Sequence, residues 1–250
     1  MVGPSFLDLP DRARKPRDRG LTHVFDDGVP LGLARDVLSM SAQWIDVWKL
    51  GFGIAYLDPG LAAKLAGLAE HQVRACLGGT LLEVAWLQGK VSELLAWAEH
   101  AGVPLVEVSN GATGMPGTEK RRLIEAAADR FTVLAEVGSK DPGAPVNADA
   151  WAKEATADLE AGARWVIAEG RESGTVGLYQ ANGSPRDDVV RALLEVLAPA
   201  ALIFEAPRKA QQAWFIRRLG PDVSLANIPV SGVLGLEALR VGLRADTVGQ

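Results

Sequence analysis

Cysteine is almost missing from these 250 residues. Cys76 stands alone, so no intramolecular disulfide can form, and neither a CxxC nor a Cys/His zinc spacing occurs. Histidine is scarce as well, with three copies, none in a Ser-His-Asp or Cys-His arrangement. His71 and His100 sit where helix C-termini are expected, and the alternation of strand residues turns His23 toward the helices if Asp26 faces inward. No run of ~20 apolar residues could span a bilayer, and no apolar secretory segment opens the chain. A net charge of -5 gives no reason to expect nucleic acid, but it leaves room for a locally basic pocket and a small anion. The expectation is a cytoplasmic protein with no membrane or nucleic-acid partner, whose chemistry rests on carboxylates, lysines and arginines.

Hydrophobic residues make up 48% and charged residues 23%, an ordinary globular balance, and the length fits one barrel domain. Residues 1–20 read as a basic N-terminal extension, with five cations and two acids between 11 and 20. A solvated tail is favoured there over a nucleic-acid arm, and cations packed over a barrel mouth or a neighbouring subunit are a third possibility. From 21 to 250 strand and helix patterns alternate. Strands are expected at 21–26, 45–50, 73–77, 104–108, 131–137, 164–169, 201–205 and 223–227. Helices are expected near 31–41, 60–70, 80–101, 118–130, 148–162, 186–198, 208–219 and 231–243. Eight such units, with no GxGxxG after the first strand, point to a single (β/α)8 TIM barrel rather than an open dinucleotide-binding sheet.

Seven strands close on a charged or amide residue: Asp26, Lys49, Glu107, Glu136, Glu169, Glu205 and Asn227. The C-terminal ends of barrel strands are where active sites assemble. Five carboxylates around one mouth, with Lys49, Lys140 and Arg171 among them, suit Mg2+ and an anionic substrate. Salt bridging across the barrel top is the plainer use for any one of them. Gly78 and Gly79 can offer backbone N–H groups to an anion, while Thr80 and Glu83 have capping-box spacing. Long loops at 138–147 and 171–184 are expected on the same side.

Taken in order, these motifs resemble the phosphosulfolactate synthase family. They include GlyGlyThrLeuLeuGlu at 78–83, GluValSerAsnGly at 107–111, GluValGlySerLys at 136–140 and ArgGluSerGlyThr at 171–175. GlyLeuThr at 20–22 with Asp26, LysLeuGlyPheGly at 49–53, IlePheGluAlaPro at 203–207, GlnGlnAlaTrpPheIle at 211–216, LeuAlaAsnIlePro at 225–229 and GluAlaLeuArgValGlyLeuArgAlaAspThr at 237–247 complete the set, and the resemblance spans 14–248. It implies a homo-oligomeric (β/α)8 barrel, a trimer, that adds sulfite to phosphoenolpyruvate with Mg2+. Lys140 is then the proton donor, with Lys49 and Glu136 as its catalytic neighbours. Arg171, the Ser173–Gly174–Thr175 backbone, Gly78, Gly79 and Asn227 would bind substrate, and Asp26, Glu107, Glu169 and Glu205 would be metal ligands. The chain departs from the family pattern at Asn110, usually aspartate, at Ser139, usually basic, at Cys76-Leu77, usually Tyr-Pro, and at Asp27, often lysine. A paralogous enzyme with another nucleophile, or a non-catalytic stress or interaction relative, are the alternatives.

Overall fold

A computed structural model describes residues 6–141 and 143–249; residues 1–5 of the N-terminal extension and Gln250 of the barrel segment lie outside it. In chain order the elements begin with β1 (Thr22–Asp26), α1 (Leu31–Ser41), β2 (Val47–Leu50), α2 (Ile54–Leu57) and α3 (Leu61–Glu70). There follow β3 (Arg74–Leu77), α4 (Gly79–Leu87), α5 (Val91–Ala101), β4 (Leu105–Val108), α6 (Gly117–Ala128) and β5 (Thr132–Val137). The chain ends with α7 (Ala148–Glu160), β6 (Trp165–Ala168), α8 (Asp187–Val196), β7 (Leu202–Glu205), α9 (Lys209–Leu219), β8 (Leu225–Pro229) and α10 (Val233–Arg240). The eight strands pair in parallel and in sequence order into a closed barrel, as the alternating pattern predicts. Among the described residues no helix is long and apolar enough to cross a membrane.

Two elements differ from expectation. The single helix expected over 80–101 is two, because Gly89 takes a left-handed conformation (φ 65°) and the chain turns there. The short α2 was read as loop.

The barrel separates its side chains into two apolar clusters. Leu21, Val47, Cys76, Leu105, Leu134, Trp165, Ile167, Ile203 and Ala226 fill the interior, while Val24, Trp48, Leu77, Val106, Ala135 and their like pack under the helices. Residues two apart along a strand share a face. Lys49, Glu107, Glu136, Glu169 and Glu205 each stand two positions beyond an interior residue, and so project into the barrel mouth. Asp26 follows Val24 instead and points outward, which reverses the parity expected for β1. His23, two beyond Leu21, therefore lies inside. It is fully buried, neither ring nitrogen has a hydrogen-bond partner, and burial followed by the nearby Lys49 charge holds the ring neutral.

The N-terminal extension is not a solvated tail over its described part. Arg17 donates from Nε to Asp46 at 2.8 Å and to the Ala13 and Gln43 carbonyls, and its side chain is 1% exposed. Arg12 bridges Asp222 and Glu237, while buried Arg240 donates to the carbonyls of Leu21, Pro221 and Val223. The barrel floor has acceptors without donors, and these guanidiniums satisfy them. Arg17→Ala should cost about 3 kcal/mol in urea unfolding, because it leaves Asp46 buried without its counter-ion. Exposed Arg14→Ala should stay within about 0.5 kcal/mol.

Candidate active site

At the C-terminal ends of the strands lies a cavity of about 410 Å3, lined by Lys49, Gly79, Thr80, Glu107, Glu136, Lys140, Glu169, Arg171, Glu205 and Asn227 among others. Lys49, on β2, crosses the mouth to reach Glu107 on β4 at 2.8 Å, Glu205 on β7 at 3.5 Å and Glu136 on β5 at 3.7 Å. Burial alone would lower its ammonium, but those three carboxylates outweigh it and hold the group well above the usual lysine range.

Lys140 enters from the loop after β5. Its Nζ lies 2.7 Å from Glu136, 3.5 Å from Glu83 and 3.6 Å from Glu169, and it donates to Ser109 Oγ at 3.3 Å. Burial opposes its charge, yet Glu136, Glu169 and Glu107 raise it overall, so the ammonium is protonated at neutral pH. With 19% of its side chain exposed, it faces the cavity where Lys49 is enclosed.

Glu136, Glu169 and Glu205 bring one carboxylate oxygen each within 4.8 Å of one another, all buried. Five carboxylates, counting Glu83 and Glu107, meet three cations, Lys49, Lys140 and Arg171. The protonation pattern answers that surplus. Burial, then repulsion from Glu136 and Glu205, pushes Glu169 well above the ordinary carboxylate range, and burial pushes Glu107 up to about 7 against the pull of Lys49. Glu136, despite burial, is held low by Lys140 and Lys49. A cation among three hard carboxylates would relieve the repulsion, and the donor set of oxygens fits a divalent metal.

Backbone geometry aims the groups. Arg171 has a left-handed backbone (φ 56°), so its N–H donates to both Glu169 (2.6 Å) and Glu205 (2.8 Å), and Gly170 N–H also reaches Glu205 (2.8 Å). Phe52 and Asn227, also cavity-lining, share that unusual conformation, which in non-glycine residues marks constrained positions. Asn227 Oδ1 is buried without a partner and belongs to the cavity wall. Behind β5, fully buried Lys120 donates to the Glu136 carbonyl at 2.6 Å and pairs with Asp158 at 2.7 Å.

Several expected site residues lie elsewhere or act differently. Asp26 lies outside the cavity wall: one oxygen accepts from Gly28 and Val29 N–H, and the other from Trp48 Nε1 and Lys64 Nζ, so no lone pair is left for a metal. Glu107 is tied to Lys49 and to Gly79 N–H at 2.9 Å, apart from the other three acids. That bond uses the Gly79 N–H, and Gly78 N–H goes to the Leu50 carbonyl, so neither is offered to an anion. The glycines serve close packing: a Cβ on Gly79 would fall 2.4 Å from Ser109 Oγ, and one on Gly78 2.8 Å from the Leu50 oxygen. Ser173, Gly174 and Thr175 also lie off the cavity wall. Gln211 on α9 holds the Gly174 carbonyl at 2.8 Å, and Thr175 Oγ1 donates to Ser173 Oγ. Asn110 binds the Met115 carbonyl and Ser139 Oγ accepts from Asp141 N–H, so both departures from the family pattern stabilise loops rather than line the cavity.

Glu83 is the residue whose role the sequence concealed. Helix α4 starts at Gly79 with Gly78 as its cap, so Thr80 is too late to be a cap and the capping-box spacing is coincidental. Glu83 instead accepts from Ser109 Oγ, Ala112 N–H and Thr113 Oγ1, fixing the loop after β4 against Lys140.

Comparison with known proteins identifies the family. A family model described as (2R)-phospho-3-sulfolactate synthase (ComA) matches residues 10–246. A phosphosulfolactate synthase of Bacillus subtilis (strain 168) is 40% identical over 247 residues, covering 96% of this chain and 97% of that one. One from Methanothermobacter thermautotrophicus is also 40% identical, covering 96% of each chain. Among solved structures, a 3-hexulose-6-phosphate synthase superposes with a TM-score of 0.58 at 18% identity, over 88% of this chain and 99% of that one, a likeness of fold alone. With nearly full-length matches on both counts, the chain belongs to the (2R)-phospho-3-sulfolactate synthase family.

Proposed function

We propose that this chain joins sulfite to phosphoenolpyruvate to give (2R)-phospho-3-sulfolactate, with Mg2+ at the barrel rim. The observation that carries the reading is the buried Glu136–Glu169–Glu205 cluster, set directly beside the protonated Lys140 on one cavity wall. These three glutamates would hold the cation, in place of the Asp26, Glu107, Glu169 and Glu205 set that the resemblance implies. When bound, Mg2+ would supply positive charge to the substrate carboxylate as negative charge builds there.

The chain's own residues supply the rest. Arg171, 37% exposed at the mouth, and Lys49 offer positive charge to the phosphate and carboxylate of the substrate. Sulfite sulfur forms a bond to the methylene carbon, and the double-bond pair moves onto the adjacent carbon and its carboxylate. Lys140 then delivers its proton to that carbon from one face, so C–S and C–H bonds form and the phosphate ester survives. Solvent returns the proton to Lys140. Four polar groups around Nζ, three carboxylates and Ser109, restrict the direction of delivery, which is what a single product configuration requires. A cytoplasmic, homo-oligomeric enzyme belongs to the same reading, and exposed Tyr56 and Leu57 on α2 are apolar surface that assembly would cover.

Two results test this. Lys140→Ala should lower the rate of sulfonated product formation, followed by mass spectrometry with phosphoenolpyruvate, sulfite and Mg2+, by about 10^3-fold. An unchanged rate would remove Lys140 as donor, and no sulfonated product from the wild-type protein would remove the reaction. Glu205→Gln should raise the Mg2+ concentration for half-maximal rate at least about tenfold. Asp26→Asn should lower thermal stability and leave that Mg2+ requirement where it is.

A further inference from the structure

The opposite end of the barrel holds a second cavity, of about 460 Å3. Its apolar wall includes Leu65, Leu68 and Val73, and its charged groups are Lys15, Arg17, Asp46 and Arg74. These charges are not balanced. Arg17 and Asp46 neutralise each other at 2.8 Å, and the remaining Arg17 N–H groups go to backbone carbonyls. Arg74, the first residue of β3, has no side-chain hydrogen bond or ion pair among the described residues; its guanidinium lies over the Trp165 ring, 5.0 Å from the centroid. Lys15 reaches a neutral acceptor, the Gln72 carbonyl at 3.1 Å. Burial pushes the Lys15 ammonium down to about 8, with Asp46 resisting and Arg17 and Arg74 adding repulsion.

Beyond the Arg17–Asp46 pair, two further half-buried cations share one cavity wall with no carboxylate in contact with either, which is costly unless an anion joins them. A guanidinium with its donor fork free, beside a lysine point charge, matches a phosphate group. We propose that this cavity is a second anion site that takes a small organic phosphate, its phosphate between Arg74 and Lys15 and its carbon skeleton against Leu65, Leu68 and Val73. Lys15 belongs to the N-terminal segment and Arg74 to the barrel, so the occupant ties one to the other. The ligand therefore stabilises the closed floor by mass action and is remote from the rim chemistry.

Calorimetric titration with glycerol 3-phosphate, with glycerol as control, tests the site. The Arg171→Ala protein is the background, because it weakens phosphate binding at the rim. Binding should persist there, with no heat from glycerol, and should weaken at least about tenfold on adding Arg74→Gln or Lys15→Gln. Both single variants should retain wild-type turnover at the rim. Absence of binding at millimolar concentration, or an affinity that neither substitution changes, overturns the proposal. Should Arg74→Gln unfold the protein by exposing Trp165, Lys15→Gln decides alone, since the polar contact it loses is one exposed bond to the Gln72 carbonyl.

Discussion

Lys49 lies inside the barrel mouth with its ammonium 2.8 Å from Glu107 and within 3.7 Å of Glu205 and Glu136. One side chain thus joins β2 to β4, β5 and β7 across the interior. Its charge survives only because the carboxylates outweigh its desolvation, and Glu136 in turn is held low in part because of it. The arrangement is mutual and over-supplied with negative charge. Burial and the excess push Glu169 above the ordinary carboxylate range and bring Lys140 into the same group. Everything proposed for the rim, from cation binding to proton delivery, follows from burying more carboxylates than lysines in one apolar tube.

Such a cluster needs walls that do not relax. Buried lysines behind the strands provide them from the helix layer. Lys64 on α3 ties Asp26 at the end of β1 to Asp58, and Lys120 on α6 ties the Glu136 carbonyl to Asp158 on α7. Glu83 does the same with opposite charge, holding the loop after β4 through Ser109, Ala112 and Thr113. In each case a long side chain from a helix satisfies polar groups at a strand end, so rim carboxylates keep their positions despite mutual repulsion.

The floor solves a related problem with the signs exchanged. Carbonyls and carboxylates at the strand starts are answered by Arg12, Arg17 and Arg240. That count leaves Arg74 and Lys15 over, and the rim leaves carboxylates over. The barrel separates the two surpluses by the length of its strands, so each can meet a ligand of the other sign without cancelling within the protein.

The strand-end residues of β2, β4, β5, β6 and β7 were legible in the sequence because an apolar run closed by a charge has one natural place in a parallel barrel. The eight-strand order and the family motifs were legible for the same local reason. Which face Asp26 takes was not: β1 offers Leu21–His23–Phe25 and Thr22–Val24–Asp26 as rival faces, and only the neighbouring strands choose between them. Glu83 was hidden by a spacing that mimics a cap, since the helix start depends on where β3 releases the chain. The Arg17–Asp46 and Lys120–Glu136 contacts join residues far apart in sequence, and no local pattern encodes them. The sequence by itself determined the repeat, the barrel and the supply of charges at its ends. Tertiary structure alone decided which charges meet, because pairing depends on strand register and on distances across the barrel, which exist only once it has closed.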